Sequence, residues 1–520
     1  MRAVYRYLLA IMVCGFAFLK PVAQCPARPQ PGSIVQDPLT ISSQNGVLSA
    51  EFTMQHSVDD GGYNHYCYNY KTPMGNVEAP TLRVNQGDTL KLKLLDRIKD
   101  VDAGMKMPPP PGKVCGDGGQ MTLQTTNLHF HGMNVSPNCH QDDVLTTLIQ
   151  PGSPGFEFNI PIPADEPPGL YWYHPHVHGF TEFQVNGGAA GALIVDGMEK
   201  IHPEVQGLTE HVLVIRQQYL VPWIPGPYQL TLNYQVSAFP FPRPIIQMKP
   251  GEEQFWRVAN ATLQDFLPLQ FQVNGSAADM ELIALDGYPL AQTRKQKTIL
   301  VAPAGRAEFI VKAPAAGGTA DFVTLNYSTG PTGNADLAQN LATVQLTQNP
   351  VRQPEVRPAP GPMIHLADLK FADLAKQHPT AERKLFFSEE FGGTNGPIQF
   401  MITVDGQKQQ VFEPNEKPVI TTHVGAVEDW TIENRALETH AFHIHQIHFL
   451  VLEVDGQPVK NQDMLDTISI PFWEGPGHPY HSVKVRMDFR DPTIAGTFPF
   501  HCHILLHEDL GMMHKILVEP

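Results

Sequence analysis

The chain has 520 residues, a formal net charge of −16 and a pI near 5.8. This length suits about three domains with sizeable cores, and the acidic balance excludes the basic surface that a nucleic-acid partner requires. The 48 prolines and 42 glycines beside 42% hydrophobic residues favour short strands joined by turns and long loops. The composition therefore indicates a β-rich protein rather than helical bundles.

The N-terminal stretch MRAVYRYLLAIMVCGFAFLKPVAQCPA contains two arginines, then an apolar run, then small residues. It is too short for a membrane span, so residues 1–25 are predicted to be a secretory signal peptide. A buried N-terminal helix is the alternative, and Gln24 disfavours a lipid anchor on Cys25. We therefore expect an exported protein, periplasmic or extracellular, that does not span the membrane.

Apart from Cys14 in the signal peptide and Cys502 in the C-terminal motif, the cysteines can pair in an exported chain. Four are available, and they allow three pairings among which the sequence does not choose: Cys25, Cys67, Cys115 and Cys139. If cleavage removes Cys25, one thiol is left without a partner.

Histidines recur at a strand-like spacing. Chance placement of the 23 histidines would give roughly one H-x-H pair. The chain has five, in NLHFHG, YWYHPHVHG, HAFHIH and FHCHILLHEDLGMM. Alternate residues of a strand share a face, so each pair presents two imidazoles together. One isolated pair is more often structural than a ligand, but four clusters reverse that expectation.

The C-terminal motif adds a thiol to this pattern. On a strand, Cys502 would point away from the face that His501 and His503 share, so two metal sites would be joined through one cysteine. Cys502, His507 and Met512 supply most of a blue-copper His₂Cys set with an axial thioether. Zinc is the alternative, but a structural zinc ion prefers a closed set of four nitrogen or sulfur ligands and gains nothing from a methionine.

The clusters also show an internal repeat. GLYWYHPH at 169–176 matches GTFPFHCH at 496–503, and LHFH at 128–131 matches FHIH at 442–445. The two end units therefore look like copies of one unit. In this alignment only the last unit keeps the set His440, Cys502, His507 and Met512, so His440 completes the mononuclear site.

A third copy lies between the end units. Gly87, Gly251 and Gly425 each begin a similar alternating strand and lie 164 and 174 residues apart. The middle unit has only His202 and His211, both near its edge, and is interpreted as a spacer. A proline-rich run is followed by LADLKFADLAKQ, which suggests a helix. The predicted limits are 26–200, 201–347 and 384–520 for the three domains and 348–383 for the linker.

The four motifs HFHG, HPHVHG, HAFHIH and HCHILLHEDLGM resemble the copper motifs of the multicopper oxidases, in the order found in laccases, ascorbate oxidase and bacterial copper oxidases. The resemblance covers essentially the whole mature chain and is closest in organisation to the bacterial laccase-like type with three domains. It implies an all-β fold of three cupredoxin-like Greek-key β-sandwich domains. It also implies four copper ions per chain, namely one type 1, one type 2 and two type 3.

The resemblance assigns twelve ligands. The type 1 ion would be bound by His440, Cys502, His507 and axial Met512. The type 2 ion would be bound by His129 and His443. The type 3 pair would be bound by His131, His174, His176, His445, His501 and His503. Pro175 replaces the serine common in the second motif, and His178 is an extra candidate that the internal repeat disfavours.

The implied activity is laccase-like: one-electron oxidation of phenols or similar small donors, coupled to four-electron reduction of O₂ to water. The axial Met512 suggests a low to medium type 1 potential. Glu508 resembles a proton-relay glutamate of bacterial relatives, and Asp142 resembles the acidic residue near the type 2 ion, with Asp143 as its alternative. The structural alternative for these carboxylates is a solvated loop position.

Two other functions are alternatives to the laccase-like one. A cuprous oxidase for copper tolerance is disfavoured because the third domain has no dense methionine run. A metal-free scaffold is disfavoured because all ten histidines and the cysteine are present. The resemblance implies a monomer.

Overall fold

The computed structural model describes residues 25–520 except 59–61, 63, 100, 102–103, 113, 220–227, 352–361 and 393–397. The predicted signal peptide therefore lies outside the described residues, apart from Cys25. Regular structure in the described part is almost entirely β-strand, arranged as three successive pairs of sheets. No helix among these residues is long and apolar enough to cross a membrane.

The first unit contains two five-stranded sheets. In spatial order the first sheet comprises Thr40–Ser42, Thr81–Val84, Gly191–Val195, Gly169–His174 and His129–His131. The second comprises Phe156–Pro161, Thr89–Asp96, Val47–Val58, Asn64–Thr72 and Gly75–Glu78. In TLKLKLLD the leucines at 90, 92 and 94 are buried while the intervening lysines face outward. This alternation directs one face of the sheet into the core.

The middle unit pairs a seven-stranded sheet with a six-stranded one. The larger sheet comprises Gln235–Val236, Gln229–Leu232, Thr209–Gln218, Glu253–Ala261, Arg306–Lys312, Met280–Leu285 and Tyr288–Gln296. The smaller comprises Ile245–Met248, Gln339–Leu346, Ala320–Thr324, Leu267–Val273 and Ser276–Ala277, with Ile299–Val301 also paired to Leu267–Val273.

The last unit repeats the plan of the first. Its larger sheet comprises Ile398–Val404, Ala381–Phe391, Ala426–Asn434, His481–Phe489, Phe449–Val454 and Gln457–Pro458, with Met464–Leu465 paired to Phe449–Val454. Its smaller sheet comprises Ile420–His423, Met513–Glu519, Gly496–Cys502, His440–Ile444 and Thr467–Ile470. In both end units the two histidine-bearing strands are antiparallel neighbours.

Short elements complete the fold. The α-helices are Thr181–Asn186 and Leu505–Asp509. Single 3₁₀ turns occur at Met198–Lys200, Pro203–Val205, Leu366–Asp368, Leu374–Lys376 and Pro492–Ile494. Two-stranded ribbons pair Cys115–Gly116 with Thr147–Leu148, Lys106–Met107 with Met121–Thr122, and Tyr327–Ser328 with Ala335–Asp336.

The helix suggested for LADLKFADLAKQ is wrong. This segment forms two separate 3₁₀ turns, and Phe371 between them adopts a positive φ of 67° that interrupts any helix. Phe371 and Leu374 are both buried against the core of the last unit. Tertiary burial of these side chains therefore outweighs the local helical pattern.

Each unit has its own apolar core, and a fourth cluster joins the first two units. It brings Leu170 and Trp172 of the first unit against Val212, Val214 and Ala304 of the middle unit. This contact holds the histidine-bearing strand Gly169–His174 in place beside the middle unit. The exact domain limits stay predictions.

Candidate metal centre

Strand pairing brings the predicted histidine motifs together. In the first unit His129 lies opposite His174, and His131 lies opposite Trp172. In the last unit His443 lies opposite His501, and Phe442 lies opposite Cys502. The alternating pleat therefore turns the histidines to one face and the intervening aromatic residues to the core.

Eight of these histidines meet between the first and last units. Their ring nitrogens form three groups, and within each group the candidate donor atoms lie within 4.8 Å of one another. The groups are His129, His131 and His443; His131, His174 and His503; and His176, His445 and His501. All three groups combine histidines from both units, so this centre requires both end units.

All eight side chains are buried, and burial lowers the pKa of each imidazole, to about 3 for His174 and to about 4 for His501. These imidazoles are therefore neutral at physiological pH and keep a lone pair for a metal ion. Structural histidines that are solvated or ion-paired would not all have lowered pKa values.

Hydrogen bonds fix which nitrogen is free. His129 Nδ1 contacts Asp142 at 3.0 Å, His174 Nδ1 donates to Pro175 O at 2.8 Å, and His443 Nδ1 donates to Asp466 O at 2.8 Å. The opposite Nε2 atom of each ring is buried without a hydrogen-bond partner. Orphaned lone pairs that converge in this way fit metal ligands whose second nitrogen is held by the protein.

The mononuclear site lies beside this centre. Cys502 Sγ is 3.6 Å from His440 Nδ1 and 3.9 Å from His507 Nδ1, and all three side chains are buried. Met512 is fully buried, and its backbone donates to His507 O at 2.8 Å and accepts from Cys502 N at 3.0 Å. Burial raises the pKa of the Cys502 thiol, so a bound cation is needed to stabilise its thiolate.

The two predicted acid–base residues lie against the histidines. Glu508 is fully buried, 3.2 Å from His501 Nδ1 and 3.5 Å from His176 Nε2. Burial, followed by the charge of Asp509, raises the pKa of Glu508 well above its ordinary value. Its carboxyl group can therefore carry a proton beside the histidine groups at neutral pH.

Asp142 contacts His129 and also accepts hydrogen bonds from Phe130 N at 2.9 Å and Gln446 Nε2 at 2.5 Å. Burial raises its pKa as well. The alternative, Asp143, instead accepts a hydrogen bond from Thr146 N at 3.0 Å. Of the two neighbouring carboxylates, Asp142 is the one in contact with a predicted ligand.

The remaining histidines take other positions. His178 belongs to none of these groups, and its ring lies edge-on to Phe412 with centroids 4.8 Å apart. His448 is buried and donates from Nε2 to Asp286 O at 2.8 Å, as expected for a structural histidine. His140 is exposed, and His481 pairs with Asp455 and Glu474 at the surface.

Several buried groups at the centre have no sequence motif. Asp466 lies 3.2 Å from His131 Nε2, and Gln446 supports Asp142. Glu389 lies 3.4 Å from His440 Nε2, and Glu438 lies 3.6 Å from His507 Nε2. The one signal for Glu438 was its position two residues before His440; Glu389 and Asp466 are distant in the chain from the ligands they contact.

The four cysteines outside the mononuclear site form the disulfides Cys25–Cys67 and Cys115–Cys139. Cys502 is the free cysteine of the described residues. A signal peptidase cut after Cys25 would remove one partner of the first bridge. The Cys25–Cys67 disulfide therefore requires that Cys25 stays in the chain.

The fold and its buried donor groups define a class: a three-unit β-sandwich protein with a His₂Cys site in its last unit and a shared histidine centre between its end units. Family models described as multicopper oxidase match residues 120–200, 216–349 and 392–520, together more than half of the chain. The chain belongs to the multicopper oxidase family, whose members use copper, and it is an oxidoreductase.

Related proteins align with this chain over most of its length. A multicopper oxidase of Staphylococcus haemolyticus is 26% identical over 498 residues, which cover 92% of this chain and 88% of that protein. A laccase of Bacillus stratosphericus is 22% identical over 491 residues, which cover 85% and 89%. The solved structure of a Campylobacter jejuni multicopper oxidase, described as a metallo-oxidase, matches with a TM-score of 0.67 and 21% identity, covering 96% of this chain and 99% of that one. The predicted all-β, cupredoxin-like fold class is thereby confirmed.

Proposed function

We propose that the chain is a laccase-like oxidase that binds four copper ions and couples one-electron oxidation of small donors to reduction of O₂ to water. The observation that carries the proposal is the division of ten buried histidines and one cysteine into a His₂Cys site and three adjoining histidine groups. When bound, copper supplies the one-electron redox steps and the reduction of O₂ with four electrons and four protons. The assigned ligands are the twelve named from the motifs.

Cys502 provides the connection between the two sites. It lies on the core side of the strand Gly496–Cys502, while its neighbours His501 and His503 enter different histidine groups. Consecutive Cα atoms are about 3.8 Å apart. The chain therefore joins the mononuclear site to two of the histidine groups by a few covalent bonds.

Protons and small molecules also need a path to this buried centre. A cavity of about 380 Å³ reaches His176 and is lined by residues of both end units, including His178, Phe412 and Glu416. Glu508 lies between His176 and His501, and we assign it the delivery of protons. Asp142 is the second candidate because it contacts His129.

The donor would approach the outer edges of the mononuclear histidines. His440 Nε2 and His507 Nε2 face Glu389 and Glu438, whose side chains are only 3% and 11% exposed. Burial and the neighbouring Glu389 raise the pKa of Glu438 to about 8. A carboxyl pair at this edge can accept a hydrogen bond from a phenol or an aromatic amine.

The same pair favours a second candidate function. Two carboxylates beside an electron-accepting site also suit a metal cation as donor, and the Campylobacter jejuni protein is described as a metallo-oxidase. Oxidation of Cu(I) is therefore the alternative activity.

Export to a periplasmic or extracellular location and a monomeric state stay part of the proposal, supported by the N-terminal pattern and the family resemblance.

The deciding experiment is oxygen uptake by the copper-loaded protein with a methoxyphenol and, separately, with Cu(I). Cys502→Ser is the matched blank, because it alters one donor atom. Uptake with the phenol and little with Cu(I) supports the laccase-like function, whereas the reverse result supports the metal-ion oxidase. Failure of the wild-type chain to bind copper, or uptake equal to that of the blank, would contradict both.

A further inference from the structure

A buried arginine from the middle unit reaches the histidine centre. Arg306 begins the strand Arg306–Lys312 and is almost fully buried. Its guanidinium donates to Asp466 Oδ1 at 2.8 Å and to Asp466 Oδ2 at 2.5 Å. Such a two-pronged pair fixes both position and plane of the carboxylate.

The Arg306 guanidinium also donates hydrogen bonds to three backbone carbonyl groups. It donates to Leu170 O of the first unit at 3.2 Å, to Ala304 O at 3.2 Å and to Asp286 O at 2.8 Å. Asp286 in turn accepts from the backbone N–H groups of Asp466 and Thr467, at 3.3 and 3.2 Å. These contacts hold the Arg306 guanidinium in place and link all three units.

Asp466 in turn contacts two predicted ligands and orients their rings. Its carboxylate lies 3.2 Å from His131 Nε2, and its carbonyl accepts from His443 Nδ1 at 2.8 Å. The opposite nitrogens, His131 Nδ1 and His443 Nε2, are buried and have no hydrogen-bond partner.

The glycine of HFHG makes room for this pair. Gly132 has a positive φ of 84°, and a Cβ at this position would overlap both the Arg306 guanidinium and the Asp466 carboxylate. The glycine that follows the first histidine pair is therefore required by a residue that lies 174 positions further along the chain.

We propose that Arg306 is a positioning residue for the copper centre, acting through Asp466 to select the metal-facing nitrogens of His131 and His443. The middle unit, interpreted from sequence as a spacer, would then shape the centre without supplying a ligand. The inference rests on the proposed function, because it assumes that His131 and His443 bind copper. A carboxylate that orients a metal-bound histidine commonly contributes roughly 10- to 100-fold to metal affinity.

A purely structural role for the ion pair predicts a different result. Arg257 is a matched control: it is a nearly fully buried arginine of the same sheet, and it pairs with Glu308 and with Glu210 at 3.2 Å. Its hydrogen bonds and ion pairs among the described residues include none of the predicted ligands. Breaking either buried pair costs stability, but only Arg306 touches a group that orients the histidines.

The test compares Arg306→Lys, Asp466→Asn and Arg257→Lys in the full, copper-loaded protein. The readouts are copper per chain, the electron paramagnetic resonance spectrum of the type 2 ion, and the thiolate-to-copper absorption band of the mononuclear site. Arg306→Lys and Asp466→Asn are expected to weaken copper binding at the histidine centre by roughly 10- to 100-fold and to change the type 2 spectrum in the same way. Both should keep the absorption band, and Arg257→Lys should keep all three readouts while lowering Tm.

An Arg306→Lys protein with the wild-type type 2 spectrum and copper affinity would overturn the proposal. If Arg306→Lys fails to fold, Gly132→Ala provides the second variant, because it displaces the pair without removing a charge, and the same spectral change is expected. An unchanged spectrum in a folded Gly132→Ala protein also counts against the proposal. Failure of the wild-type protein to take up copper would instead refute the proposed function.

Discussion

Glu508→Gln replaces a titratable carboxyl group with an amide and keeps the size and shape of the side chain. Glu508 is fully buried between His501 and His176, at 3.2 and 3.5 Å, in a centre with no solvent-exposed histidine. Reduction of O₂ to water consumes four protons, so a buried centre depends on groups that can deliver them. Glutamine fills the same space but cannot transfer a proton.

The expected loss follows from the surroundings of Glu508. A positioned acid or base contributes roughly 10²–10⁴-fold to rate, which corresponds to about 3–5 kcal/mol in the barrier. Asp142 contacts His129 and offers a second proton donor at the same centre. We therefore expect the lower end of the range, about 10²-fold in kcat.

The assay is steady-state oxygen uptake, accompanied by anaerobic bleaching of the thiolate-to-copper band by the donor. Glu508→Gln should slow uptake and leave bleaching unchanged, because Glu508 lies at the histidine centre and not at the mononuclear site. Glu508→Asp, which keeps a carboxyl group, should restore part of the rate. Oxygen uptake by Glu508→Gln at the wild-type rate would refute the assignment.

Three further predictions concern the other parts of the site. Cys502→Ser should abolish the thiolate-to-copper band and turnover while far-ultraviolet circular dichroism stays unchanged; turnover at the wild-type rate would exclude the route through Cys502. Glu389→Gln should raise KM for Cu(I) about tenfold, or about 1.4 kcal/mol, because it removes a carboxyl group beside His440, and should leave KM for a neutral phenol almost unchanged, because the glutamine oxygen still accepts a hydrogen bond. Equal effects on both donors would contradict a cation-selective role for this carboxylate. The metal-free protein should lose stability as pH falls from about 6.5 toward 4, because the unfolded chain binds protons there while His501, with its pKa lowered to about 4, does not. A Tm of the metal-free protein that stays constant across this window would contradict the burial of neutral histidines.

The histidine centre was predictable because its signal is local. Each H-x-H pair lies on one strand, so period-two alternation alone places both rings on one face. The repeat between the end units then indicated that the pairs belong together and identified His440 as part of the mononuclear site. The structure brings these residues together with their donor atoms close to one another, and their copper assignment stays a proposal.

The support around the centre was not predictable, because it depends on contacts between distant parts of the chain. Arg306 and Asp466 are separated by 160 residues, and neither belongs to a motif. The disulfide pairing was also not predictable, because the sequence does not show which of the four cysteines lie close together in the fold. The helix prediction for LADLKFADLAKQ was wrong because Phe371 and Leu374 pack into the core of the last unit.

The ratio of donor oxidised to O₂ consumed tests the central claim most directly. Single-electron donors should be oxidised in a ratio of about four per O₂, without release of hydrogen peroxide, if the four predicted copper ions act together. The measurement combines an oxygen electrode with the absorbance of the oxidised donor and a peroxide assay on the copper-loaded protein. A ratio near two with stoichiometric peroxide would contradict the account, because the histidine centre would then not complete the reduction to water.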